Sequence, residues 1–93
     1  MSEQAVWKTV LVPNGADPTI VITLPRAAQP LTLQLQHGAP TVWWRVTPGE
    51  PLDVRHFRVI GTGWKFDGHK TVGYIGTWLE GDFVWHLFEV HAP

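Results

Sequence analysis

Two stretches of this chain combine glycine, threonine and tryptophan in a way suited to holding a small anion: Val59-Ile60-Gly61-Thr62-Gly63-Trp64 and Tyr74-Ile75-Gly76-Thr77-Trp78. Glycine admits positive φ and close approach of backbone to a ligand, and N–H groups in such turns form anion-binding concavities. Thr62 and Thr77 add hydroxyls, and the indoles add flat apolar surface. Arg45, Arg55 and Arg58 are the natural supply of guanidinium, whose fork matches phosphate oxygens in pairs. Arg55 and Arg58 fall on opposite faces of one strand, so at most one need point into a given pocket. Trp43, Trp44, Trp64 and Trp78 could stack a nucleobase, worth about 1–3 kcal/mol per base. The same residues also describe two plain β-turns with hydrophobic anchors, and tryptophans that fill a core or a subunit contact.

Other chemistries fare less well. Gly61-Thr62-Gly63 is neither a dinucleotide fingerprint nor a P-loop, and no helix follows it. With no cysteine there is no disulfide framework, thiolate metal site or cysteine nucleophile. The only serine, Ser2, stands at the terminus, outside any nucleophile elbow. Five histidines invite a metal, and His86, Glu89 and His91 have the look of a ligand set. Strand alternation puts His86 on the opposite face from the other two, so no metal is expected. His56, Tyr74 and His86 are the candidates for general acid–base work. No catalytic residue and no cofactor is assigned.

The elements that must position these residues read as all β. Prolines and glycines leave no uninterrupted window longer than 12 residues, which argues against helices. Val6–Leu11 is a first strand, closed by a Pro13-Asn14-Gly15 turn, and Thr19–Leu24 is a second, rich in β-branched residues. Leu31–Gln36 alternates leucines on one face with Thr32, Gln34 and Gln36 on the other, which predicts one packed side. His37-Gly38-Ala39-Pro40 makes a tight link to Thr41–Val46, where Val42, Trp44 and Val46 share one face and Trp43 and Arg45 the other. Val54–Ile60 runs into the first Gly-Thr corner, and Lys65–Lys70 is a polar loop, with Asp67 a candidate lid residue. The second corner follows, and Phe83–Val90 is apolar enough to be a central strand. The expected fold is a small antiparallel β-sandwich or barrel of about seven short strands in one domain, residues 1–93.

The ordered set Gln34-Leu35-Gln36-His37-Gly38, Pro40, Trp43 or Trp44, Gly61-Thr62-Gly63, Tyr74-Ile75-Gly76-Thr77 and Phe83–Glu89 resembles a family of small uncharacterised phage and prophage proteins. It carries only a domain-of-unknown-function label. The resemblance runs from about Val6 to Glu89. It implies phage origin and a compact β domain, and it transfers no catalytic residue. The doubled Trp43-Trp44 departs from a pattern in which one tryptophan precedes a small or apolar residue.

Six tryptophans, four phenylalanines and one tyrosine exceed the about four or five large rings that so small a core can hold. The surplus predicts exposed aromatic surface and a homo-oligomer. A net charge of −1 argues against long nucleic acid but not against a small anion. The N-terminus lacks signal-peptide features and no apolar run is long enough to span a membrane, which predicts a protein of the bacterial host cytoplasm. The expected function is non-catalytic binding of a small anionic ligand, a cyclic nucleotide or ADP-ribose derivative, sequestering a nucleotide immune signal. The expected ligand residues are Trp43, Trp44, Arg45, Arg58, Gly61, Thr62, Gly63, Trp64, Tyr74, Gly76, Thr77 and Trp78. The alternative is a structural or interaction protein, either a virion component or an inhibitor of a host protein. A small hydrolase or lyase ranks third.

Overall fold

In the computed structural model, which describes residues 3–12 and 18–93, seven strands form two antiparallel sheets packed as a sandwich rather than a closed barrel. The smaller sheet has the order β1 (Ala5–Val10), β4 (Ala39–Val46), β3 (Gln29–Gln36). The larger has the order β2 (Thr19–Pro25), β5 (Leu52–Gly61), β7 (Phe83–Val90), β6 (Thr71–Glu80). The expected Pro13-Asn14-Gly15 turn lies outside the described residues.

Period-two alternation sets which side chains face the other sheet. Val42, Trp44 and Val46 of β4 are buried, while Arg45 is exposed and Trp43 half-buried on the outer face. On β2, Ile20, Ile22 and Leu24 point inward. The apolar β7 is an inner strand, flanked by β5 and β6 on either side. β3 and β4 are joined by His37 and Gly38 at φ 51° and 78°, the left-handed pair that a two-residue hairpin needs to follow strand twist.

β3 departs from its expected leucine face. Only Leu33 is buried, while Leu31 and Leu35 are about half exposed. β3 is an edge strand, and its register shifts between Pro30 and Thr32, which takes Leu31 out of line. Fewer large rings are buried than expected: among the described residues Trp44, Phe57 and Trp78 are, with Trp44 tilted against Phe57 at 5.7 Å. Trp85 is half-buried at the margin of the core, and Trp7 remains 40% exposed on the edge strand β1. A three-stranded sheet covers only part of a four-stranded one, which leaves rings outside.

One charged pair lies between the sheets. Arg55 donates through Nε and Nη2 to the two carboxylate oxygens of Glu89 at 2.8 and 2.7 Å, and through Nη1 to the Ala28 carbonyl at 2.6 Å. Its guanidinium also sits over the Trp44 ring at 5.3 Å. Arg55 is therefore a cross-strand tie between β5 and β7 rather than a ligand group.

Candidate anion-binding site

The two Gly-Thr stretches turn out to be different objects. The first is a turn: Trp64 N–H donates to the Gly61 carbonyl at 3.0 Å, and Gly63 takes φ 87°. A Cβ at Gly61 would stand 2.8 Å from the Trp64 ring, so the missing side chain is the seat of that indole. The second is no corner. Tyr74 to Trp78 lie inside β6, whose register shifts between Tyr74 and Gly76. A Cβ at Gly76 would stand 2.6 Å from Leu33 Cβ, so this glycine lets β6 and β3 approach across the sandwich. The expectation that Gly76 cradles a ligand is corrected: it is buried against protein.

The other candidates are dispersed by the same alternation. Trp44 is fully buried and Trp78 is 5% exposed, so neither offers a stacking surface. Trp43 and Arg45 lie on the outer face of the smaller sheet, where Arg45 Nε donates to Gln4 Oε1 at 2.6 Å. Trp64, 53% exposed, meets Trp85 edge-on at 5.6 Å, and Trp85 stacks on the exposed Phe83 at 5.8 Å. This ladder stands at one end of the sandwich.

Arg58, Tyr74 and Thr77 share the outer face of the larger sheet, and there a recess forms. Along β5, His56, Arg58 and Ile60 point outward, opposite in sense to the inward Arg55 and Phe57. The segment from Thr62 to Lys70 folds back over this face, with Phe66 against Phe88 at 5.2 Å. Ile60, on the outer face, is only 4% exposed beneath this cover. The loop is tied at its end: Asp67 Oδ1 accepts from His69 N–H at 2.9 Å, Thr71 Oγ1 donates to the Gly68 carbonyl at 2.7 Å, and His91 N–H donates to the Lys70 carbonyl at 2.9 Å. Asp67 is thus the cap of a single 3-10 turn, Gly68–Lys70.

The recess between loop, sheet and C-terminal segment measures about 710 Å³ and is lined by His56, Arg58, Lys65, Phe66, Lys70 and His91 among others. Among the described residues its lining side chains include three cations, Arg58, Lys65 and Lys70, and one carboxylate, Asp67. Among the described residues none of those three cations takes part in an ion pair; the pairs present are Arg26 with Asp53 and Arg55 with Glu89. Of the twelve expected ligand residues only Arg58 lines the recess. Lys65, Phe66, Lys70 and His91 were missed, and the available signal was an apolar ring set between lysines in an otherwise polar loop.

Beside the recess, the two Gly-Thr threonines meet around one histidine. His86 Nε2 lies 2.8 Å from Thr62 Oγ1, and Nδ1 lies 2.9 Å from Thr77 Oγ1. Thr77 Oγ1 in turn lies 2.5 Å from the Tyr74 hydroxyl. Two of the acid–base candidates, Tyr74 and His86, are therefore joined through Thr77, whereas His56 lines the recess. Among the described residues no group of three or more His, Cys, Asp or Glu could hold a metal ion. Among the described residues no helix is long and apolar enough to cross a membrane.

A family model described as a domain of unknown function, DUF7352, matches residues 2–93, and the chain belongs to that family. No curated protein and no solved structure matches it.

Proposed function

We propose that this member of the family binds a small anionic ligand in the recess on the outer face of the larger sheet, without transforming it. The observation that carries the reading is three cations, Arg58, Lys65 and Lys70, that line one recess of about 710 Å³ and take part in no ion pair among the described residues. That volume suits a small molecule, for which recesses of roughly 300–1,000 Å³ are usual. Arginine and lysine at such a site form charge-assisted hydrogen bonds, the strong ones for phosphate oxygens. Phe66, 46% exposed at the wall, adds apolar surface for a ring. A nucleotide supplies both parts, and in its finest form the proposal is that a phage protein sequesters a nucleotide immune signal in the host cytoplasm. That last step rests on the family resemblance and on analogy.

Calorimetric titration with inorganic phosphate, cyclic nucleotides and ADP-ribose derivatives tests the reading. Binding by at least one phosphate-bearing compound, weakened about tenfold or more in Arg58→Ala, is the expected result. Folded protein that is silent across the panel overturns it. Ligand released intact by heating supports a binder, and altered ligand supports the hydrolase or lyase alternative.

A second reading, an interaction protein or homo-oligomer, is favoured by the Trp64–Trp85–Phe83 ladder, with Trp64 53% and Phe83 65% exposed. Contiguous exposed rings of this kind serve as interface anchors.

A further inference from the structure

We infer that the Tyr74 phenol oxygen is a hydrogen-bond acceptor that reads a donor group on the ligand, held in that sense by a chain through Thr77, His86 and Thr62. The inference rests on the anion-binding reading above. Its direction follows from proton counting. Thr62 Oγ1 donates to the Val84 carbonyl at 3.3 Å, and a carbonyl can only accept. A hydroxyl has one proton, so towards His86 Nε2 at 2.8 Å the same oxygen accepts, and Nε2 carries the ring hydrogen. In that tautomer Nδ1 carries no hydrogen and accepts from Thr77 Oγ1 at 2.9 Å. With its own proton committed, Thr77 accepts from the Tyr74 hydroxyl at 2.5 Å. The phenol is left presenting lone pairs outward, on a residue 57% exposed.

The sheet places this acceptor relative to the cations. Tyr74 and Arg58 are both register partners of Phe88, one from each neighbouring strand, so they flank it on the same face. Their strands lie two inter-strand spacings apart, roughly 9–10 Å. Between them stands Phe88, with Phe66 packed against it at 5.2 Å and Tyr74 edge-on to it at 5.5 Å. A ligand matching this row has an anionic end at Arg58, a flat ring along the aromatic rings and a hydrogen-bond donor at Tyr74. A nucleoside monophosphate with an exocyclic amine has that order of groups. One with a carbonyl at the same ring position would set acceptor against acceptor.

Adenosine and inosine monophosphates differ in that group and are the probes. The expected result is that the adenosine compound binds about tenfold more tightly, and that Tyr74→Phe brings the two affinities together. Nitrogen-15 NMR of the His86 ring at pH 8 provides a readout without ligand: hydrogen on Nε2 is expected. Hydrogen on Nδ1, or on both nitrogens, overturns the direction of the chain. Equal binding of both nucleotides by the unaltered protein overturns the role of Tyr74 alone. If neither binds while the His86 tautomer is as expected, the cationic-recess reading fails and takes this inference with it.

Discussion

At the scale of single residues, the chain uses its arginines in opposite ways although two of them are three positions apart. Arg55 faces inward and is consumed by Glu89, Ala28 and the Trp44 ring, with its side chain and that of Glu89 18% and 17% exposed. Arg58 faces outward into the recess and has no carboxylate partner among the described residues. Removing one member of a desolvated pair leaves the other uncompensated, which costs more than the pair contributes. Glu89→Ala should therefore destabilise the protein by about 2–3 kcal/mol in urea unfolding. Arg55→Met combined with Glu89→Leu should recover much of that loss, because apolar side chains can replace such a pair. A double variant as unstable as Glu89→Ala would show that the pair's role is not replaceable by packing. Arg58→Ala should leave the unfolding midpoint nearly unchanged.

At the scale of elements, the two Gly-Thr stretches show what a one-dimensional reading can see. Both share Ile-Gly-Thr followed by a tryptophan, but one ends a strand and the other lies within one. What separates them is the partner: Leu33, far along the chain, presses on Gly76, whereas Trp64, three residues on, lies over Gly61. A Cβ at Gly76 must displace backbone or Leu33, an overpacking that costs about 1–3 kcal/mol. Gly76→Ala should be destabilising to that extent, and adding Leu33→Ala should cost less than the sum of the two single changes. Additive losses in thermal or urea unfolding would argue against the close approach of β6 and β3. The inward face of β4, the central place of β7 and the His37-Gly38 hairpin were all legible, because alternation, apolar runs and turn chemistry are local. The exposure of Leu31 and the burial of Trp78 were not, because they depend on a register shift in β3 and on which sheet lies opposite. The recess was legible only through Arg58, the acid–base candidate His56 and the lid candidate Asp67, since its other walls come from a loop and the C-terminal segment brought over the sheet by tertiary packing.

At the scale of the whole molecule, a three-on-four sandwich leaves two different surfaces, the cationic recess and the aromatic ladder at one end. They make separable predictions. Binding at the recess should weaken steeply as salt rises from about 0.05 to 0.5 M, since exposed charges are screened over roughly 10 Å at 0.1 M. Salt-independent affinity would point to an apolar site. If the ladder joins copies of the chain, Trp64→Ala with Phe83→Ala should lower the mass found by sedimentation without altering ligand affinity. An unchanged mass would exclude the ladder as that interface. The central claim concerns place: the anion sits between β5, the Thr62–Lys70 segment and the residues after β7. Titrating an adenine nucleotide into isotope-labelled protein and following backbone amide shifts tests this most directly. Shifts are expected at His56 to Ile60, Lys65 to Tyr74 and Phe88 to Ala92. Shifts confined to the Trp43 and Arg45 face or to the Trp64–Phe83 ladder would contradict it.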